Sequence, residues 1–309
     1  MARLEPHGFG LALGGGGAKG YAHIGVLYEL HARGLRPAAI AGTSVGAMVG
    51  SLLAAGYEPA EIERRFRAVP PDEAFRREHD APPSFLGLAG LRRMLEDALG
   101  PQRTFADLPV PFAVTAVDLH TGRLVYLRRG PVVPAVLASA AVPGIFPPVP
   151  WGEGHLLVDG GVLDNVPVRL ARRLAPGLPV VAVVLTPRPD QLTADSGVRF
   201  LADVPVFGKA IQRLRYVRAL HYFMRSVDIA GAHLTHWRLA HDRPEVVIAP
   251  QVGDVGLLAG PEVADEVIAR GRQAFEAAWP QMQRALQPWR RWWRAWRRPS
   301  NDDAEVLEL

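Results

Sequence analysis

A run of glycines, Gly14-Gly15-Gly16-Gly17-Ala18-Lys19-Gly20, follows a short apolar segment at 8–13 and opens a helix-patterned stretch at 18–33. Few folds accept that order. Consecutive glycines weaken a strand or helix interior, but they turn tightly and let backbone N–H groups point into one small concavity. The helix that follows adds positive potential at its N-terminus. A turn of this kind holds an anion, either a phosphate or a transient oxyanion.

The same unit recurs at once. Residues 37–41 read as a second apolar strand and 44–55 as a second helix, joined by Gly42-Thr43-Ser44-Val45-Gly46. Two such units in succession predict a parallel sheet with crossover helices, an α/β fold. Segments 111–117, 123–127, 155–158, 179–185 and 245–249 read as further strands, and 132–141, 203–236 and 261–286 as helices. Residues 57–110 are broken by Pro70, Pro71, Pro82 and Pro83, and read either as a mobile lid or as a packed insertion. No repeat or linker splits the chain, so 1–286 is expected to form one domain.

What the first glycine turn holds is narrowed by its neighbours. A P-loop needs Gly-Lys followed by Ser or Thr, whereas Lys19 precedes Gly20. A dinucleotide fingerprint is formally present as Gly15-x-Gly17-x-x-Gly20. The second strand, however, ends in Gly42-Thr43-Ser44 and not in an acid that would hold a ribose. The remaining reading is an oxyanion hole, which requires a nucleophile nearby. Lys19 opposes the helix macrodipole at a cost of up to about 1 kcal/mol. It is either a solvated side chain or a group that orders the loop or meets an anionic substrate.

Gly42-x-Ser44-x-Gly46 stands after a strand and before a helix, which is the context of a nucleophile elbow. Both glycine turns then share one edge of the sheet, where α/β sites form. The plainer alternative makes Ser44 a helix N-cap. A nucleophilic Ser needs a proton acceptor. His155, His221, His233, His236 and His241 fall in helical stretches or at a strand start, not in strand-end loops. His233-x-x-His236 lacks the acidic companions of a metal site. Asp159 is the better candidate, because it ends the apolar strand His155-Leu156-Leu157-Val158 and is followed by Gly160-Gly161. An ordinary Asp-Gly turn has the same appearance. A carboxylate is a weak base, with an unperturbed pKa of about 3.9; burial raises that value and backbone N–H donors lower it.

Composition excludes other chemistries. The chain has no cysteine, which removes disulfides, thiolate metal sites and cysteine nucleophiles together. The net charge of +4 is local: residues 280–298 carry six Arg and no acid, leaving −2 for the rest. That distribution argues against a general nucleic-acid-binding surface. No metal and no cofactor are expected. The N-terminus is not a secretory signal, and no apolar stretch reaches the roughly 18 residues of a membrane span, so the expected location is cytoplasmic.

Together the motifs resemble those of the patatin-like phospholipase family. The family pattern G-G-G-x-[R/K]-G, G-x-S-x-G and D-G-[G/A] stands here as Gly15–Gly20, Gly42–Gly46 and Asp159-Gly160-Gly161. The segment Ala138-Ser139-Ala140-Ala141-Val142-Pro143-Gly144-Ile145-Phe146-Pro147-Pro148 also matches, as do Asn165 and Pro167. The likeness spans about residues 8–186 and more loosely continues to about 275. It implies a three-layer α/β/α fold around a central, mostly parallel sheet. It implies a Ser44–Asp159 dyad without His or metal, an oxyanion hole at Gly15, Gly16 and Gly17, and Lys19 at the family's basic position. Gly42, Gly46, Gly160 and Gly161 support these groups. The implied reaction is hydrolysis of acyl esters in phospholipids, lysophospholipids or neutral lipids through an acyl-Ser44 intermediate. His23, in the helix after the glycine run, is read as structural.

The C-terminal segment, 287–309, carries a different signal. Trp289, Trp292, Trp293 and Trp296 share one helical face, with Arg290, Arg291, Arg294, Arg297 and Arg298 around the rest. Pro288 suits a first turn and Pro299 ends the pattern. This is the composition of an amphipathic interfacial helix, with indoles at headgroup depth and each Arg worth about 1 kcal/mol near an anionic leaflet. A helix packed on the body or a dimer contact gives the same pattern, and the acids Asp302, Asp303 and Glu305 beyond it partly neutralise the Arg. Three functions follow: a serine lipid acyl hydrolase held peripherally on the inner face of the membrane, a membrane- or partner-docking scaffold with little turnover, and a soluble carboxylesterase. Oligomeric state is not legible.

Overall fold

The computed structural model describes residues 8–77, 84–192, 215–287 and 306–308. Strand β1 (Gly10–Leu13) leads through the glycine run into α1 (Tyr21–Ala32), and β2 (Ala39–Gly42) leads through Ser44 into α2 (Val45–Ala54). The region from 57 to 110 contains α3 (Pro59–Arg67), α4 (Pro71–Ala74) and α5 (Ala89–Leu99). Ile62 of α3 and Leu95 of α5 are fully buried, so these helices pack as an insertion; residues 78–83 lie outside the described residues. Then come β3 (Phe112–Asp118), β4 (Leu124–Leu127), α6 (Val132–Ser139), β5 (Val149–Trp151), β6 (His155–Asp159), α7 (Val168–Leu174) and β7 (Val180–Val183). The chain ends with α8 (Arg215–Asp242), β8 (Val246–Ile248), α9 (Ala264–Leu286) and β9 (Val306–Glu308).

All nine described strands join one sheet, in the order β5-β6-β3-β2-β1-β7-β8, with β4 on β3 and β9 on β4. β1 pairs in parallel with β2 and β7, β2 with β3, and β7 with β8. Three pairings are antiparallel: β3 with β4, β3 with β6, and the β5–β6 hairpin. The sheet is therefore mixed but mostly parallel. Val306–Glu308, read from sequence as part of the segment beyond the domain, adds a parallel edge strand to β4. Glu308 there pairs with Arg128 at 2.7 Å and Arg173 at 2.9 Å.

Alternation along the strands creates two cores. Leu11, Leu13, Ile40, Val114, Val181 and Val183 face a large apolar cluster shared with α1, α2, α3, α5, α6 and α9. The opposite face shows mostly small residues, among them Ala12, Ala41, Ala113 and Ala182, packed against Val168, Leu170 and Ala171 of α7. The result is a three-layer α/β/α fold.

One feature of the topology positions the site. β2 and β6 lie against the same strand, β3, from opposite directions. β2 runs parallel to the first half of β3, its Gly42 opposite Val114. β6 runs antiparallel to the second half, its last residue Asp159 opposite Ala116. The two strands end head to head, so the segment that follows each of them opens onto the same gap.

Candidate active site

Ser44 fills that gap from the β2 side. It sits at φ 56°, ψ −124°, a conformation L-residues rarely adopt, and its side chain is left at the start of α2 where the helix dipole favours negative charge. The strained turn is held by its contacts. A Cβ on Gly46 would lie 2.2 Å from the Leu13 carbonyl oxygen, and one on Gly42 would lie 2.6 Å from the Gly46 oxygen. Only glycine permits those approaches. The Ser44 N–H donates to Ser139 Oγ at 3.0 Å, and the Thr43 N–H to the Leu13 carbonyl at 3.1 Å.

Asp159 enters from the β6 side and is 5% exposed. Its carboxylate accepts the Gly161 N–H at 2.7 Å and lies near enough to the Ser44 hydroxyl for that group to favour its ionised form. Burial pushes its pKa up to about 6, against the pull of those two donors. The close approach beneath it depends on Gly160, where a Cβ would lie 2.0 Å from Thr115 Oγ1. Thr115 and Thr43 in turn share a 2.7 Å hydrogen bond between their hydroxyls, tying the elbow to β3.

The glycine turn closes the third side. The Gly15 N–H donates to the Asn165 carbonyl at 3.0 Å, and the Gly14 N–H to the Val183 carbonyl at 3.0 Å. The N–H groups of Gly16 and Gly17 have no partner among the described residues and stay available for an anion. Gly15, expected as an oxyanion donor, has therefore already spent its N–H on Asn165; it fixes the loop instead. His23 does the same from beneath, its Nε2 2.7 Å from the Gly14 carbonyl oxygen. Burial lowers its pKa to about 4, the Gly14 bond pulling the other way, so a neutral ring donates that bond. The Lys19 side chain makes no hydrogen bond among the described residues. Burial lowers its pKa, and Asp228 of α8 and Asp254 oppose that shift.

Ser44 lies in the wall of an apolar cavity of about 110 Å³. Val45, Met48 and Val49 carry that wall along α2, Tyr21 and Ile24 along α1, and Phe66 and Val69 across its end from α3. Phe75, Leu88, Phe146, Leu257 and Leu258 complete it. No histidine lines it. His155 is occupied by Asp118, with Nδ1 to Oδ2 at 3.1 Å, and His241 by Arg169 at 3.0 Å. His233 is exposed, and the side chain of His221 lies outside the described residues. No group of three His, Cys, Asp or Glu among the described residues is arranged to hold a metal.

Thus Ser44, Asp159, Gly16, Gly17, Gly42, Gly46, Gly160 and Gly161 converge. Trp289, Trp292, Trp293, Trp296, Arg290, Arg291, Arg294, Arg297 and Arg298 lie outside the described residues. Three positioning groups had no role assigned from sequence: Ser139, Thr115 and Asn165. Ser139 and Asn165 fall in the matched segments, which was a signal; Thr115, inside a strand, carried none. No helix among the described residues is long and apolar enough to cross a membrane.

Comparison with known proteins follows the same residues. The family profile described as Patatin-like phospholipase matches residues 11–172. An uncharacterized NTE family protein of Mycobacterium tuberculosis is 40% identical over 161 residues, covering 51% of this chain and 44% of that protein. A second from the same organism is 30% identical over 283 residues, covering 89% of this chain and 47% of that protein. A lysophospholipase NTE1 of Cryptococcus neoformans is 30% identical over 190 residues, 55% of this chain and 11% of that protein. The chain spans about half the length of the mycobacterial relatives.

Proposed function

The chain belongs to the patatin-like phospholipase family, and from that premise we propose that it hydrolyses acyl esters of lipids, with Ser44 as nucleophile and Asp159 as general base. The observation that carries this reading is the Ser44 hydroxyl set beside the buried Asp159 carboxyl at the wall of an apolar cavity. A carboxyl with a pKa of about 6 is ionised at neutral pH, yet is a far better base than a free aspartate.

In the first half-reaction Ser44 Oγ attacks the ester carbonyl while its proton passes to Asp159. Negative charge develops on the carbonyl oxygen, where the N–H groups of Gly16 and Gly17 stabilise it; one such donor is worth about 2.7–4 kcal/mol. Collapse breaks the ester bond, Asp159 returns the proton to the departing alcohol oxygen, and the acyl group stays on Ser44. Water then attacks the acyl carbonyl while Asp159 takes its proton, and collapse breaks the bond to Ser44 Oγ, which recovers that proton from Asp159 as the fatty acid leaves. The cavity along α2 receives the acyl chain, and Lys19 offers a cation beside the glycine turn. No metal or cofactor takes part in this scheme.

The substrate class is a phospholipid, lysophospholipid or other acyl-ester lipid, in keeping with the lysophospholipase among the relatives. The Trp and Arg pattern at 289–298 supports peripheral contact with an anionic membrane. The test is fatty-acid release from anionic phospholipid vesicles and from lysophospholipid. Wild type should release acid, and Ser44→Ala and Asp159→Asn should not. Release by Asp159→Asn at the wild-type rate would remove Asp159 as base; no release by wild type would favour a docking scaffold or a different ester.

A further inference from the structure

Asp164 is a second fully buried carboxyl, five residues beyond Asp159, and the scheme above gives it nothing to do. Neither of its carboxylate oxygens has a hydrogen-bond partner among the described residues. Its nearest cation is Arg238 of α8, with Nη1 3.9 Å from Oδ2, an ion pair without a hydrogen bond. The Arg238 Nε is itself buried and unpartnered. A carboxylate kept in so poor a setting costs stability unless its charge is used.

Its backbone shows where that charge acts. The Asp164 carbonyl accepts the Thr43 hydroxyl at 3.0 Å, one residue before Ser44. The Asp164 N–H donates to the Gly160 carbonyl at 2.8 Å, one residue after Asp159. The next residue, Asn165, takes the Gly15 N–H through its carbonyl and donates from Nδ2 to Thr186 Oγ1 at 2.7 Å. Elbow, base and glycine turn therefore hang on one dipeptide, and among the described residues its side chain makes an ion pair with α8. We propose that Asp164 is a positioning residue of the Ser44–Asp159 centre, its ionised carboxylate drawn to Arg238 so that the segment 159–165 keeps Thr43, Asp159 and Gly15 in register. The inference rests on the serine hydrolase reading of the site and adds a second proton whose loss brings the centre to full activity.

Every charged neighbour bears on that proton. Burial pushes the Asp164 carboxyl up to about 7; Arg238 of α8 and Arg169 of α7 pull it down, and Asp242 of α8 pushes it up. Arg169 is shared, with Nε 2.6 Å from Asp242 Oδ1 and Nη2 3.0 Å from His241 Nδ1. Below its pKa the carboxyl is neutral, the attraction to Arg238 is gone, and the segment is held by backbone contacts alone.

The test is a pH series on the intact chain with two readouts: hydrolysis of a p-nitrophenyl ester and the rate at which an alkyl fluorophosphonate labels Ser44. For wild type, kcat/KM and labelling should fall in two steps on the acid side, the upper a partial loss to the level of Asp164→Asn and the lower reaching about tenfold per pH unit. Asp164→Asn should keep a single step of about tenfold per unit, with a lower kcat and an unchanged KM. Arg238→Met, which leaves Asp164 in place, should lower kcat as Asp164→Asn does and move what remains of the upper step to higher pH, and Arg238→Lys should restore both. A merely structural role would reduce the yield of folded protein and leave the acid limb of the remainder as in wild type. If wild type shows one step and neither variant moves it, the positioning role is overturned while the hydrolase reading stands. If the probe fails to label wild type, the serine reading fails and this role falls with it.

Discussion

The two faces of the sheet meet at the same strand ends and treat them in opposite ways. On one face, α1, α2 and α3 line a cavity with Tyr21, Ile24, Met48, Val49 and Phe66, and nothing there titrates near neutral pH. On the other, α7 and α8 bury Asp164 and Asp242 with Arg169 and Arg238 in partial contact. Ser44 and Asp159 lie between. The first face can act only through shape, because apolar walls discriminate by fit and by area removed from water. The second can act only through charge and the backbone it holds. In the proposed reaction, selection of the acyl chain and tuning of the reacting groups fall to different layers, and each should be alterable without the other.

The largest effects lie at the seam, where the two faces are indistinguishable. Ser44→Ala should lower kcat by about 10⁴-fold or more, and Asp159→Asn by about 10³–10⁴-fold, measured as fatty-acid release. Gly17→Ala follows. Gly17 stands at φ +59°, and its added Cβ would lie 2.2 Å from the Leu257 carbonyl oxygen, so the turn must shift. A loss of about 10²–10³-fold in kcat is expected, the scale of one oxyanion donor; full activity would remove this turn from the reaction.

Smaller effects test the separation itself. Met48→Trp should fill the cavity and cut kcat/KM for long-chain esters by about 10–100-fold while sparing short ones. Its acid limb should not move. The Arg238 variants described above should do the reverse, shifting the acid limb and leaving the order of chain-length preference intact. A Met48 variant with an altered pH profile, or an Arg238 variant with an altered chain-length order, breaks the comparison.

Stability supplies the next measure. Asp159 holds its proton more tightly in the folded protein than in the unfolded chain, about 6 against 3.8. The folded state therefore loses stability as pH rises through that window. Asp159→Asn removes the penalty, so its gain should reach at most about 3 kcal/mol near pH 7.5 and vanish near pH 4 in thermal melts. A gain that grows on acidification would mean the carboxyl is held ionised instead. The smallest effect concerns attachment: replacing Trp289, Trp292, Trp293 and Trp296 by Ala should weaken cosedimentation with anionic vesicles and leave hydrolysis of a soluble ester unchanged. Truncation before 282 is a poorer test, because Met282 and Ala285 are buried in the core.

The residues 57–110 mark the limit of reading by pattern. Their prolines obscured α3 and α5, although Pro59 and Pro71 in fact stand in first helical turns, where proline is tolerated. The boundaries of α1, α2, α6 and α9 came within a few residues, since their apolar runs and flanking breakers are local properties, whereas α7 was not read at all and α8 runs on to Asp242. His23 was legible as structural because it sits on the helix behind the glycine run. Its bond to Gly14, which makes it a brace for that run, was not.

What sequence alone determined here is what backbone sterics dictate within a few residues. Glycines at 42, 46, 160 and 161 force tight turns at strand ends, and those turns set Ser44 and Asp159 at those ends whatever surrounds them. Only the tertiary structure decided which groups meet. β2 and β6 end head to head because they pair with opposite halves of β3, a choice of register that sets Ile40 against Phe112 and Leu157 against Asp118. That register spends the Gly15 N–H on Asn165, leaves those of Gly16 and Gly17 open, and sets Asp164 against Arg238. Such pairings depend on inter-strand hydrogen bonds and on burial across the whole sheet, and no local pattern records them.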